Sequence, residues 1–496
     1  MLLRLLNSLS KYSLANLLVS ISGLITFPIL TRMFSVEEYG TISLINTFIL
    51  FGTTIAKGGL QHAVLRFNSD SQGSEKRNAY YITSIAGILA NSLFFSAAIV
   101  AMYFASETVN AYFGNHLAVT SILLIVLVGI LAFQSIRMSL SNFFLAMEQS
   151  TQFASMQVIA KYSVLVSIVF TLVFIEPTIA NFFYAMLFGE LIALLCSLFL
   201  FRSRHSVVWN VASFDRALLG RMALYCIPML GSEFTGILHA MSDRIILDML
   251  IGKEAVGLYS AAYNIAELFN TLVALSLVVA VQPIYLKLWQ EGGEKQTADF
   301  LNNVLYYCMI ICPAFIWGVV AIGEDLLTLM ASDQYAAGAV VIPYVITGVV
   351  VDTLSLIYAA GLYIRKRTME LFVPMVISVV INIALNFLLI PEFGLTGAAA
   401  ATLLSSIALA SMLYYRGRKA LKLDFPIVHL LKFVCAATVM GLLVLQISFA
   451  SCFPTIVAKV VCGMILYSTI VLLIDKRSRD LVLANTLLKY REKAND

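Results

Sequence analysis

Charged residues are scarce in this sequence. Asp, Glu, Lys and Arg make up 12% of its 496 residues, while hydrophobic types make up 60%. An ordinary soluble domain carries about 25% charged and roughly 45–50% apolar residues. A water-soluble globule could not cover its surface with so few polar groups, whereas a bilayer tolerates the balance. Long polar segments are missing too, which leaves nothing from which to build a soluble domain. No basic run with interleaved aromatics occurs, so nucleic acid is excluded as an expected partner. The seven cysteines form no C-x-x-C pair. Cys308 and Cys312 share a helix face but lack His or acidic neighbours, so they read as apolar packing, and no metal site is expected. The nucleotide signature G-x-x-x-x-G-K-[ST] is absent, as are H-E-x-x-H and G-x-S-x-G. Direct ATP coupling and the hydrolytic chemistries these motifs serve are therefore not expected.

What the sequence has instead is apolar runs of spanning length. They fall near 14–31, 41–61, 79–104, 117–136, 152–175, 178–201, 222–241, 255–280, 301–321, 338–362, 371–390, 395–415, 429–449 and 455–474. Each approaches the roughly 20 residues that a helix needs to cross the hydrocarbon core. The fold class is thus all-α and polytopic, with about 14 membrane helices. The first run is longer than a signal-peptide core and no clear A-x-A site follows it, so it reads as a retained span. Lys and Arg fall on alternate segments: Arg4 and Lys11; Arg66, Lys76 and Arg77; Arg202, Arg204, Arg216 and Arg221; Lys287 and Lys295; Arg365, Lys366 and Arg367; Arg416, Arg418, Lys419 and Lys422; and the tail from Lys476. The other segments hold little beyond Arg32, Arg244 and Lys253. The positive-inside rule then places both termini in the cytoplasm. The longest outer segment, 323–337, has about 15 residues, too few for an outer domain.

An internal repeat is visible. Aligning Glu37 with Glu254 also aligns Gly40 with Gly257, and Ser43, Asn46 and Thr53 with Ser260, Tyr263 and Asn270. The shared spacing of three and seven places each polar set on one helix face. Six spans separate the copies, so both keep the same orientation, as in parallel repeats about an axis along the membrane normal.

At these residues the chain resembles a known family. Leu30-Thr31-Arg32 runs into Ser35-Val36-Glu37-Glu38-Tyr39-Gly40; Ser242-Asp243-Arg244 closes the seventh span; Gly257-Leu258-Tyr259-Ser260-Ala261-Ala262-Tyr263 opens the eighth; Pro391-Glu392-Phe393-Gly394-Leu395-Thr396-Gly397-Ala398-Ala399 joins the eleventh and twelfth. In order and span count these resemble the polysaccharide transporter, or O-antigen flippase (Wzx-type), family of the multidrug/oligosaccharidyl-lipid/polysaccharide exporter superfamily. The resemblance implies two six-helix lobes, 1–205 and 206–420, around a V-shaped cavity, with two further helices and a tail over 421–496. It implies a transporter rather than an enzyme, in a bacterial inner membrane. The implied cargo is a polyprenyl-diphosphate-linked oligosaccharide, such as a lipopolysaccharide O-antigen unit, moved from the cytoplasmic to the outer leaflet by alternating access. A polysaccharide polymerase and a chain-length regulator are the implied protein partners, and membrane lipids the surroundings. Two rivals stay in the superfamily: a drug/cation antiporter and a flippase for the peptidoglycan precursor. A membrane glycosyltransferase or polymerase is a third, disfavoured by the short outer segments.

Ionisable groups at membrane depth are costly, which makes each a functional candidate. In the first half they are basic: Lys161 in mid-span, and Lys57 with His62 and Arg66 toward the cytoplasmic side. A lysine ammonium in a partly dehydrated cavity attracts a diphosphate. Equally, Lys57 can snorkel to the interface and Lys161 can pair with Glu190. The second half is acidic: Glu233, Glu267 and Asp352, with Asn270 adding an amide oxygen, fit an H⁺ or Na⁺ coupling site or bonds across helices. No other cofactor is expected. Arg32, Asp243, Arg244 and Glu254 lie at the outer ends of spans as a candidate gate, with Arg32–Glu254 or Asp243–Lys253 the expected pairs. Adjacent Asp243 and Arg244 are not expected to pair with each other. Asn16, Ser20, Asn46 and Thr53 are candidate cavity-lining polar residues.

Overall fold

Helix follows helix along the chain, because each apolar run must satisfy its own backbone groups in lipid. The computed structural model describes residues 2–68, 74–204, 210, 213–269, 275–365, 367 and 369–480. Its α-helices are α1 (Leu2–Met33), α2 (Val36–Lys57), α3 (Leu60–Phe67), α4 (Ser74–Ala105), α5 (Glu107–Asn110), α6 (Ser121–Ala146), α7 (Ser150–Phe174), α8 (Ile179–Arg204), α9 (Arg216–Leu250), α10 (Lys253–Phe269), α11 (Leu275–Met330), α12 (Ile342–Tyr358), α13 (Ala360–Ile364), α14 (Met369–Ala420), α15 (Ile427–Val444) and α16 (Cys452–Ile474). A π-helical turn, Ala111–His116, precedes α6, and a 3₁₀ segment, Asp333–Val341, precedes α12.

Eleven helices among the described residues are long and apolar enough to cross a membrane. The expected total of about 14 follows once α14 is divided at Gly394 and α9 and α10 are added. Gly394 has φ 59°, and Gly293 in α11 has φ 72°; both stand at kinks where two helices meet end to end. α9, which carries Glu233, Asp243, Arg244 and Asp248, is not among the eleven. The outward surface is apolar as lipid requires: Phe199 is 75% exposed and Leu473 74%. The expected outer loop at 323–337 is not a loop. α11 continues to Met330 and the 3₁₀ segment follows almost at once, because the apolar stretch there keeps its backbone bonded internally. The fourth span likewise runs ten residues past its expected end at 136, to Ala146.

The chain packs as two units, Met1–Ser260 and Ala261–Asp496. In the first, Tyr80, Tyr81, Phe143, Phe144 and Phe201 form an aromatic core. Gly189 lets α8 press on α7; a Cβ there would lie 2.5 Å from Val164 Cα. In the second unit, α16 is pinned to α11 by Lys459, whose ammonium meets Asp325 at 2.6 Å and the Ala321 carbonyl at 2.9 Å.

Candidate functional site

The first constellation forms where α2 stops. Gly58 (φ 58°) and Gly59 (φ 71°) follow Lys57 in left-handed conformations, which glycine adopts without a Cβ penalty. The α2 carbonyls left open are capped by Asn91, whose amide donates to Ala56 at 2.6 Å. The chain restarts as α3, so Lys57, Gln61 and His62 surround one carboxylate, Glu233 of α9. The Gln61 amide donates to both Glu233 oxygens at 2.7 and 2.8 Å; His62 Nε2 lies 3.2 Å away and Lys57 Nζ 3.7 Å away. The separate roles expected for Lys57, as a substrate cation, and Glu233, as a coupling carboxylate, thus meet in one constellation. Lys57 and Glu233 are partners, because a charge in low dielectric finds its counter-charge. Arg66, one turn on, is exposed beside the Phe67 ring.

The second constellation lies on α2, α6 and α8. Thr53 donates to Gln134 at 3.3 Å, Gln134 donates to Glu190 at 3.0 Å, and Arg137 Nε donates to Glu190 at 2.9 Å. Arg137 and Glu190 are buried, at 7% and 4% exposure. Glu190 is thus held by Arg137, not by Lys161. Among the described residues no carboxylate comes within 4.0 Å of Lys161, although Arg137 and Glu190 act on it electrostatically. Lys161 is exposed. The apolar exposed stripe of α7, Ile159, Val166, Phe170 and Val173, marks the lipid side. Two residues on from Ile159, Lys161 points about 200° away from that stripe, into the protein side of the helix. Arg137 was missed in the sequence because the fourth span was ended one residue short of it. The signal was there: Gln134 and Arg137 are three apart on one face of an apolar run.

The third constellation is on the side expected to be outer. Ser43 Oγ and Ser260 Oγ are 2.7 Å apart, and Arg244 Nε donates to Ser260 at 3.2 Å. Arg244 Nη1 lies 3.7 Å from Asp243, and the Tyr259 hydroxyl bonds to Asp243. The adjacent pair does interact, contrary to expectation. Both side chains are buried, and the long arginine curls back along the helix to its neighbour's carboxylate. Lys253 sits 4.0 Å from Glu37 rather than against Asp243. Arg32 and Glu254 are exposed at the ends of their helices. A group that sequence reasoning passed over stands nearby on α9. Buried Asp248 accepts from the Tyr112 hydroxyl at 2.7 Å and meets His116 Nε2 at 2.9 Å. Burial, then Asp248, pushes the Tyr112 phenol well above the usual tyrosine range.

In the second unit, Asp352 accepts from Ser406 at 3.1 Å, and its other oxygen is buried without a partner. Asn386 donates to Asn382 at 3.1 Å, and Asn382 reaches Thr402 and Ser405 at 3.3 Å. Glu267 is exposed on α10, and Asn270 lies outside the described residues. Glu233, Glu267 and Asp352 are thus not gathered in one unit: the first belongs to Met1–Ser260, the others to Ala261–Asp496. Asn16 is exposed, Ser20 bonds to its carbonyl at 2.9 Å, Asn46 is half-buried and Thr53 is buried.

Residues 5–289 match the family model described as polysaccharide biosynthesis protein. A probable low-salt glycan biosynthesis flippase, Agl15, of Haloferax volcanii is 24% identical over 35% of this chain and 37% of its own length. A probable flippase, AglR, of the same organism is 30% identical over 36% and 37%. Capsular polysaccharide biosynthesis protein CapF of Staphylococcus aureus is 27% identical over 42% and 52%. The matches therefore span about a third to a half of these relatives. Among solved structures, the lipid II flippase MurJ in an inward closed conformation superposes with a TM-score of 0.71 at 17% identity, over 95% of this chain and 99% of that one. An inward-facing multidrug resistance MATE family transporter of the MOP superfamily gives 0.62 at 14%, over 83% and 94%. The fold is the one these two transporters share, and with more than half its length matched by the family model, the chain belongs to the polysaccharide biosynthesis protein family.

Proposed function

We propose that this protein is a flippase that carries a polyprenyl-diphosphate-linked oligosaccharide across the cytoplasmic membrane, acting as a transporter and not as an enzyme. The observation that carries the reading is Lys161: a cation at membrane depth, on the protein side of α7, with no carboxylate within 4.0 Å among the described residues. An ammonium left without a counter-charge in such a place is balanced by an anionic ligand. At an effective dielectric of about 20, one unit-charge pair at 4 Å is worth about 4 kcal/mol. The Arg137–Glu190 pair behind it is buried and internally satisfied, so it fixes the frame while Lys161 remains available.

The Lys57–Glu233 pair supports proton coupling on the same unit. A diphosphate drawn to Lys57 competes with Glu233 for it, and a carboxylate that loses its cation takes up a proton more readily. Asp352, with one buried unpartnered oxygen, is the second candidate for a coupling proton or Na⁺. Both termini are then cytoplasmic, and a polymerase and a chain-length regulator act on the product. A peptidoglycan-precursor flippase would use the same diphosphate chemistry and differ in the glycan; a drug antiporter would have no use for Lys161.

The test is complementation of a flippase-deleted strain together with reconstitution in vesicles that contain a fluorescent polyprenyl-diphosphate sugar. Lys161→Ala should abolish surface polysaccharide and transport while the protein still inserts, and Lys161→Arg should restore much of both. Full activity in the alanine variant would remove Lys161 from the site and the reading with it.

A further inference from the structure

Two cavities of the second unit are lined by consecutive residues of α14, one by Tyr415 and the other by Tyr414. The first, about 380 Å³, lies at the end of α14 and is lined by Arg418, Lys419, Lys422 and Glu294. Glu294 is already engaged by Arg365 at 3.4 Å, which leaves three cations facing the cavity. The second, about 570 Å³, lies among α11, α12, α14 and α15, and its walls are almost wholly apolar. It runs along α12 from Tyr358 to Thr347, eleven residues apart, or about 16 Å of helix. That is the depth of one leaflet of a hydrocarbon core about 30 Å thick.

One contact links their linings, that of Arg418 in the first with the Tyr414 ring in the second. Tyr414 lines the apolar cavity and carries the Arg418 guanidinium 5.6 Å from its ring centre; the Lys419 ammonium lies 4.4 Å over Tyr415. Tyr358, Tyr414 and Phe425 stand together in the wall of the apolar cavity, with Tyr358 and Tyr414 centroids 5.0 Å apart. A further observation points to a ligand. Tyr358 is 5% exposed, lines the apolar cavity, and its hydroxyl is buried without a hydrogen-bond partner. Buried hydroxyls are normally satisfied.

We propose that this place binds one anionic phospholipid of the bilayer. Its phosphate sits among Arg418, Lys419 and Lys422, one acyl chain lies along the apolar cavity, and the Tyr358 hydroxyl donates to a headgroup or ester oxygen. Basic pockets at helix ends on the cytoplasmic side suit anionic headgroups, and the α14 end is on the side that the Lys and Arg distribution assigns to the cytoplasm. A polyprenyl diphosphate offers similar head chemistry, but a cavity one leaflet deep matches an acyl chain rather than the longer prenyl chain. The inference rests on the span assignment and not on the cargo, so a failure at Lys161 leaves it standing.

Native mass spectrometry of the full-length protein, released from vesicles of equal phosphatidylglycerol and phosphatidylcholine, tests it. The wild type should retain one phosphatidylglycerol in preference to phosphatidylcholine. The triple variant Arg418→Gln, Lys419→Gln, Lys422→Gln should lose at least tenfold of that occupancy. Leu354→Trp, which fills the apolar cavity and leaves every charge in place, should lose a similar amount, and Tyr358→Phe several-fold. Equal retention of the two lipids, or unchanged phosphatidylglycerol occupancy in the triple variant, overturns the proposal. So does displacement of phosphatidylglycerol by equimolar undecaprenyl diphosphate, which would assign the site to the cargo.

Discussion

Ser43 and Ser260, aligned with each other by the internal repeat, touch: their hydroxyl oxygens are 2.7 Å apart. The same holds one turn earlier. A Cβ on Gly40 would lie 2.0 Å from the Lys253 carbonyl oxygen, and one on Gly257 would lie 2.1 Å from the Val36 carbonyl oxygen. Each glycine receives the backbone of the other copy, as expected where two equivalent helices cross on a local two-fold axis. Small residues at such a crossing let backbones approach closely.

If this crossing must separate during transport, tying it should stop the cycle. The double variant Ser43→Cys, Ser260→Cys should cross-link on oxidation, lose transport in vesicles, and recover on reduction. Transport that continues in the fully cross-linked protein would show that the crossing stays closed throughout.

Glu233 should govern the response to a proton gradient. In Glu233→Gln, Lys57 loses its counter-charge while Gln61 keeps an oxygen to donate to. Transport should become insensitive to an imposed pH gradient, and substrate affinity should rise several-fold. A variant with unaltered gradient dependence would exclude this carboxylate from coupling.

The Arg137–Glu190 pair should matter chiefly for stability. Removing one partner of a buried pair costs about 3–5 kcal/mol, while replacing both with apolar residues is often neutral. Glu190→Leu should lower the melting temperature in detergent sharply, and Arg137→Met with Glu190→Leu should recover most of the loss. Equal melting of the single and double variants would contradict the pairing.

Asp475 gives a pH signature outside the spans. Burial alone would raise its carboxyl, but the Tyr306 hydroxyl at 2.5 Å, the Ser478 amide and hydroxyl at 2.8 Å, and the His429 ring outweigh that and hold it below the usual carboxylate range. A depressed carboxylate stabilises the fold above its unfolded pKa of about 3.9 and loses that contribution as pH falls through the lower folded value. The melting-temperature gap between wild type and Asp475→Asn should therefore be full at pH 6 and shrink below pH 4. A gap that stays constant from pH 6 to pH 3 would refute the assignment.

The helices, their number and the repeat were legible because lipid imposes a length and a polarity that show in one dimension. Ser43 and Ser260 could be aligned from spacing alone. Their contact could not, since nothing in a sequence says which aligned positions lie near an axis. Depth alone singles out Lys57 and Glu233, but counter-charges on distant helices leave no mark of their pairing in a sequence. Arg137 falls just beyond the apolar run that marks the fourth span, although α6 carries on to Ala146. Asp243 and Arg244 were kept apart by a rule for helix faces that takes too little account of how far an arginine reaches.

Gly58 and Gly59 carry one more implication. They interrupt the hydrogen-bond ladder between Lys57 on one side and Gln61 and His62 on the other. The cage around Glu233 is therefore assembled from two rods joined by a swivel, and it can be taken apart by turning a few backbone torsions while both rods stay intact. Alanine at Gly58 would bring a Cβ to 2.5 Å from Asn91 Nδ2, and at Gly59 to 2.9 Å from the Cys226 carbonyl oxygen, so either change should shift the cage rather than leave it in place.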